Sequence, residues 1–399
     1  MTDPNDATQL RAVAERVVEE HDPRSTPTPD LLTTWYDAGL TWVHFPVGLG
    51  GLGVSRGLQP EVDAVLREAG GPADVRSLNG IGFGMAAPTL VEHAQDDDLK
   101  REWLRPLAGT HHIWCQLFSE PGAGSDLAGL STSAVRRGED WAVTGQKVWT
   151  SVGHKARWGL LLARTDPDAP KHLGLTYFVV DMHSPGVEVR PLRQLTGQAE
   201  FNEVHLSDVR IPDRHRLGKV GGGWQVARTT LMNERSAIGK SDSRRGAGKI
   251  ADAVSLWASR PDLHTPILRN RLTRLWLRAE AQRLTAERSR ALATTSGPGP
   301  EASIGKLVGA ELNQAIYEFC MDLLGPEGVL YDDYSPRDTL RPGADRLGPI
   351  QRRYLRSRAN TIEGGTSEVL RNILGERVLG LPRDLRADAG IPWKEIPRG

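Results

Sequence analysis

The chain has 399 residues, with 50 basic and 50 acidic side chains and a formal net charge of zero. That length supports two or three packed units without disulfide or metal staples, and the balanced charge offers no electrostatic footprint for nucleic acid or an anionic membrane. The opening MTDPNDATQL lacks the basic-then-apolar order of a signal peptide, and no apolar run approaches the roughly 20 residues that span a bilayer, so a soluble cytoplasmic protein is expected.

In chain order, residues 1 to about 112 read as helices broken by glycine-rich turns. The first is TQLRAVAERVVEEH, in which Leu10, Val13, Ala14 and Val17 recur at helical spacing. FPVGLGGLGVS, Phe45 to Ser55, reads as a loop. Between His112 and about Leu217 short β-rich runs take over: WAVTG, KVWTS, LTYFVVDM, VEVRPL and FNEVHLSDV. Thr144-Gly145-Gln146 reads as a turn between the first two, and the set predicts a small antiparallel barrel or sandwich. Helical period returns from Gly221. One long helix is predicted from Pro266 to Thr295, with Ile267, Leu268, Leu272, Leu275, Trp276, Ala279 and Leu284 as its apolar stripe. A second runs through SIGKLVGAELNQAIYEFCMDLL, with Ile304, Leu307, Val308, Leu312, Ile316, Phe319, Cys320 and Leu323 on one side. SGPGPEAS reads as a tight connection, and Asp332 to Gln351 as a long proline-bearing loop. Cys115 and Cys320 lie in apolar runs without CxxC spacing and read as small core residues, and no metal is expected.

Two segments carry candidate chemistry. SEPGAGSD, Ser119 to Asp126, follows a β-like run and is rich in unobstructed backbone N–H groups that can wrap phosphate oxygens, with Ser119 and Ser125 adding hydroxyls. It is neither a P-loop nor G-x-G-x-x-G, so an ordinary turn is the competing reading. QKVWTSVG, Gln146 to Gly153, sets Trp149 before Thr150 and Ser151. A tryptophan on a strand is more often core than cofactor wall.

Taken together, the stretches CQLFSEPGAGSDLAGLSTSA, WAVTGQKVWTSVGHKARWGLLLARTD, FNEVHLSDVRIPDRHRLGKVGGGWQVARTTLMNER and TIEGGTSEVLRNILGERVLGLPR closely resemble the acyl-CoA dehydrogenase family in the same order, from about Ala38 to Arg383. The resemblance implies an α+β, mainly α fold: an N-terminal helical domain (1–112), a middle β-barrel-like domain (113–217) and a C-terminal four-helix bundle (218–399). It also implies FAD as cofactor, an acyl-CoA substrate, electron transfer to an electron-transfer flavoprotein, and a homo-oligomer, dimer or tetramer. On matching positions, Gln116, Phe118, Ser119, Gly124 and Ser125 would line the flavin and pyrophosphate, with Ser125 also near the substrate. Trp149 and Ser151 would flank the isoalloxazine, while Thr366 and Glu368 would help hold the adenosine portion.

The chemistry implied is removal of the α-proton by a carboxylate while the β-hydrogen leaves as hydride to flavin N5, giving a trans-2-enoyl-CoA. Many members carry the base in the pattern E-G-T, but here that register reads Gly364-Gly365-Thr366, and Glu363 falls one residue early. A one-residue shift swings a side chain to another face, so Glu363 also reads as a polar wall or a solvated residue. A second branch, resembling isovaleryl and long-chain acyl-CoA dehydrogenases, takes its base from the acid of an E-R pair on a bundle helix, here Glu234-Arg235 in TTLMNERSAIG. The expectation is Glu234 as base and Gly364 as a backbone N–H donor to the thioester oxygen, with Arg235 turned towards the CoA side. The family's R-x-x-F-G clamp is not recognisable in SRRGAGKIADAV or SRALATTSGPG, and in MDLLGPEGV the second glycine of a pair is Pro326. Those departures motivate the alternatives of a non-catalytic or half-active subunit of a heteromer, or a flavin oxidase or monooxygenase on the same fold.

Overall fold

The computed structural model describes residues 4–72, 79–238, 244–296, 302–331, 348–383, 385 and 388–397. Its elements follow the order helices, strands, helices: α1 (Pro4–Glu20), α2 (Thr28–Asp37), α3 (Gln59–Glu68), α4 (Ala87–His93) and α5 (Asp97–Ala108) come first. The strands are β1 (Ile113–Leu117), β2 (Ser133–Arg137), β3 (Asp140–Ser151), β4 (Ala156–Arg164), β5 (Leu175–Asp181), β6 (Val187–Leu192), β7 (Phe201–Pro212) and β8 (Arg216–Leu217). Helices α6 (Gly223–Ile238), α7 (Lys249–Ala258), α8 (Pro266–Ser296), α9 (Ala302–Leu324), α10 (Ile350–Ser357) and α11 (Ser367–Arg377) complete the chain.

Chain contacts group these into two compact units. One holds 1–192, 201–233 and 388–399; the other holds 193–200 and 234–387. In the first, the strands form one mixed eight-stranded sheet in the order β6-β7-β3-β2-β4-β5-β8, with β1 added beside β4. Most ladders are antiparallel, as expected, but β1 runs parallel to β4, and β2 meets β4 in parallel at Ser133 and Arg164. The predicted turn at Thr144-Gly145-Gln146 is absent, because β3 continues straight through it. Gly145 marks a close approach instead: a Cβ there would lie 2.3 Å from Thr132 Oγ1. The β7 strand absorbs the mismatch, with an extra residue opposite Val143 to Gly145 and Asp208 at φ +52°.

The first helix buries Leu10, Ala14 and Val17 against Leu31, Leu32, Trp35 and the α3 residues Val62, Val65 and Leu66, so the helical spacing read in α1 is its core face. In the second unit, α7, α8 and α9 meet over Ile250, Leu272, Leu275, Leu312, Ile316, Phe319 and Cys320. The α8 stripe is narrower than expected, since Ile267 and Leu284 stand exposed. Cys115 and Cys320 are both fully buried thiols. The SGPGPEAS connection and the loop from Asp332 lie largely outside the described residues.

Candidate active site

On the sheet-bearing unit, the glycine loop is anchored by a buried ion pair. Glu120 sits at the root of the loop, its backbone exchanging hydrogen bonds with Ala123, while its carboxylate turns inward. There it accepts from Ser131 N at 2.7 Å, Ser131 Oγ at 2.8 Å, Thr132 N at 2.9 Å and Lys147 Nζ at 2.8 Å. Lys147, with no solvent exposure, donates twice more, to Phe118 O at 3.0 Å and Leu162 O at 2.9 Å. Burial alone would raise the Glu120 carboxyl, but the Lys147 ammonium and the donors of Thr132 and Ser131 outweigh it and hold the group down at about 2. Nothing in the sequence flags this pair: a lysine within a strand ordinarily reads as a solvated face.

The anchored loop presents its outer residues to open space. Gly122, Gly124 and Ser125 are exposed, and a Cβ added at either glycine would meet nothing within 4 Å. Close by in the chain, β3 carries one extra residue between Lys147 and Thr150 relative to β7. The bulge puts Trp149 at φ +58°, a region that non-glycine residues seldom adopt, and leaves its indole 60% exposed, edge-on to Phe201 at 6.0 Å. Trp149 is therefore not a core residue but a planar apolar surface on a strained backbone. Ser151 and Gln116 are half-buried, Ser119 O accepts from Val148 N at 2.9 Å, and Phe118 is buried edge-to-face with Tyr177. An open glycine loop with hydroxyls and a bare indole fit a flat aromatic cofactor carrying phosphates.

On the helical unit, Glu363 is fully engaged. Arg356 donates to its two oxygens at 3.1 and 2.7 Å, and Asn360 Nδ2 donates at 2.6 Å. Gly364 and Gly365 follow at φ +64° and +96°, so the segment needs glycine on conformational grounds. The Gly365 carbonyl accepts from Lys306 Nζ of α9 at 2.5 Å. Lys306 is only 3% exposed; burial lowers its proton affinity against the pull of Glu363, Glu234 and Glu368. Glu234 is half-buried near the end of α6, and Arg235 is described in its backbone alone. Thr366 caps α11 by accepting from Val369 N at 3.2 Å, and Glu368 is exposed in the first turn of that helix. The charges of Glu363, Glu234 and Glu368 all act on Lys306, a lysine that sequence reasoning passed over.

These features fit a cofactor-binding protein of helix, sheet and helix order, and comparison with known proteins makes the class specific. Residues 115–209 match the model of the acyl-CoA dehydrogenase middle domain, and 221–379 that of the acyl-CoA dehydrogenase C-terminal domain. The chain is 41% identical over 352 residues to acyl-CoA dehydrogenase FadE34 of Mycobacterium tuberculosis, covering 87% of this chain but only 45% of that relative, so it spans less than half of the latter's length. It is 37% identical over 353 residues to acyl-CoA dehydrogenase IpdE1 of the same organism, covering 88% of this chain and 86% of the relative. Among solved structures, the Tcur3481-Tcur3483 steroid ACAD aligns with a TM-score of 0.70 at 25% identity, over 96% of this chain and 99% of that one. The chain belongs to the acyl-CoA dehydrogenase family, whose members are FAD-dependent enzymes. Among the described residues no helix is long and apolar enough to cross a membrane, and no metal-holding cluster is found.

Proposed function

We propose that the protein catalyses the α,β-dehydrogenation of an acyl-CoA thioester to the trans-2-enoyl-CoA, with Glu234 as the base. The observation that supports this reading is the engagement of Glu363, both of whose oxygens are tied to Arg356 and one also to Asn360, together with the family precedent for a base at the acid of the Glu234-Arg235 pair. Bound FAD supplies the hydride acceptor. Glu234 takes the α-proton, and the Gly364 N–H donates to the thioester oxygen as negative charge develops there. Loss of one such donor costs on the order of a hundredfold in rate. A glutamate at position 364 would be strained at φ +64°, so this backbone does not favour a base at that position.

Gln116, Ser119, Gly124 and Ser125 are assigned to the flavin and its pyrophosphate, Trp149 and Ser151 to the isoalloxazine, and Phe118 to backing that wall through its buried ring. Thr366 and Glu368 are assigned to the adenosine portion, while Ser125 and Arg235 are given to the CoA moiety. The division into 1–112, 113–217 and 218–399 accompanies this reading. Electrons would pass to an electron-transfer flavoprotein. Gly364 in the place of a glutamate, followed by Gly365, leaves a wall that admits branched or bulky acyl groups, and the likeness to a steroid ACAD supports the same class. Anaerobic bleaching of the yellow holoenzyme by a panel of acyl-CoAs tests the activity; turnover confined to short straight chains would overturn the acyl assignment, and rapid hydrogen peroxide release in air would instead favour an oxidase.

A second reading follows from the same neighbour, which is named for two chains. Here the protein is one subunit of a heteromeric dehydrogenase. A colourless purified chain that acquires flavin only with a second family member would select it over a homo-oligomer.

A further inference from the structure

Residues 388–397 are far from the glycine loop in sequence, yet chain contacts group them with the sheet-bearing unit. They lie along the loop that joins β4 to β5. Trp393 N donates to Ala169 O at 3.0 Å, Lys394 N donates to Pro167 O at 3.1 Å, and the Lys394 ammonium pairs with Asp168. From that anchorage the Trp393 indole reaches the turn Leu127–Gly129, which directly follows the glycine loop, and its Nε1 donates to Gly129 O at 3.1 Å across 264 positions of sequence.

The carbonyls of Ala128, Gly129 and Leu130 are consecutive, and each takes a donor from another element. Arg164, at the end of β4, donates to Ala128 O at 2.6 Å and to Leu130 O at 3.2 Å, and Trp393 takes the carbonyl between them. The two donors also hold each other: the Arg164 guanidinium carbon lies 4.3 Å from the centre of the Trp393 ring, and Arg164 is only 3% exposed. A cation stacked on an indole away from water is held more firmly than the same contact at a surface. A second tie acts one residue beyond Ser125, where the buried Lys171 donates to both oxygens of Asp126, at 2.8 and 2.9 Å, and also pairs with Asp388. Glu120 and Lys147 fix the incoming end of the glycine loop, and residues 388–397 secure its outgoing end.

We propose that Trp393 is a positioning residue for cofactor binding: it straps down residues 126–130 and thereby holds the backbone N–H groups of Gly124 and Ser125 in place for the FAD pyrophosphate. A glycine loop has no side chains to fix its own shape, and any ordering left until the ligand arrives is subtracted from affinity. The proposal rests on the assignment of this loop to the pyrophosphate made above.

Two measurements on the FAD-loaded full chain test it: hydrogen exchange of the amides in residues 119–131, and the rate of FAD release on dilution, followed by flavin fluorescence. Trp393→Ala should speed both by about tenfold, since a hydrogen bond and a stacked cation are lost together. Trp393→Phe keeps a ring over Arg164 but has no N–H for Gly129, so both rates should fall between those of the wild type and Trp393→Ala. If Trp393→Ala does not fold, a rise of about threefold in Trp393→Phe carries the test alone. Unchanged exchange in 119–131 overturns the proposal, and so does exchange that quickens equally throughout the sheet, which marks general loosening. Faster exchange confined to 119–131 with FAD release unchanged also overturns it, by removing the pyrophosphate from this loop. Only that last result touches the underlying reading, so the two failures are distinguishable.

Discussion

The Arg356 guanidinium grips the Glu363 carboxylate with two parallel N–H donors, at 3.1 and 2.7 Å, seven residues along the chain. A carboxylate held by this fork and by Asn360 reaches a substrate only by breaking three charge-assisted hydrogen bonds. Glu363→Gln is therefore expected to lower the melting temperature but to cut flavin reduction by less than about tenfold. Glu234→Gln removes the proton acceptor and should cost roughly a thousandfold in the rate of flavin reduction, with FAD still bound. Stopped-flow reduction of both variants by one acyl-CoA decides the matter; the reverse ranking moves the base to Glu363.

The Glu120–Lys147 pair supports the glycine loop, and both side chains are nearly inaccessible. Removing one partner strands the other charge, so Lys147→Met should cost about 3–5 kcal/mol of stability, and adding Glu120→Gln should restore part of it. The carboxyl is held below its unfolded value, so its contribution is present above the ordinary carboxylate range and is lost as pH falls towards about 2. Urea midpoints followed downwards from pH 5 should decline less steeply in the double variant than in the wild type. Parallel slopes would mean that the pair does not carry this term.

Much of the architecture was legible because period and burial coincide. The faces of α1 and α9 and the order helix, strand, helix follow directly from apolar spacing. The misreadings share a physical origin: they depend on partners distant in sequence. Gly145 reads as a turn until Thr132 is found pressed against it. Trp149 reads as core until a bulge, which only pairing with β7 creates, turns it outward. Lys147 and Lys306 drew no reading at all, because each is buried by acceptors contributed from other elements: Phe118, Glu120 and Leu162 for the first and Gly365 for the second.

His215 offers a second pH-dependent term. It lies edge-on to Trp103 and Trp158, at 5.2 and 5.7 Å between ring centroids. Burial, with a smaller contribution from Arg214, pushes its imidazole down to about 4. Because the folded value lies below the unfolded one, the unfolded chain binds the extra proton first, and stability falls as pH drops from about 6.5 to about 4. His215→Phe keeps the aromatic packing and removes the proton site. Its thermal midpoint should change less between pH 7 and pH 5 than that of the wild type, and an unchanged difference would assign the acid lability elsewhere.

Under the proposed assignment of Gly364 as the donor to the thioester oxygen, Lys306 is a positioning residue. Its ammonium reaches the Gly365 carbonyl at 2.5 Å, and so holds a two-glycine segment whose left-handed backbone has no side chains of its own to fix it. Oxyanion donors work only when held close to the productive position, so release of this carbonyl should blur the aim of the Gly364 N–H. Lys306→Met is expected to lower kcat by about ten- to a hundredfold while KM changes little, since the donor strengthens mainly as charge develops on the thioester oxygen. Lys306→Arg, which can still donate to the carbonyl, should recover part of the loss. Flavin content and melting temperature separate this from general damage: a variant that keeps both but loses kcat supports the positioning role, whereas one that loses stability with kcat intact leaves Lys306 as a packing residue alone.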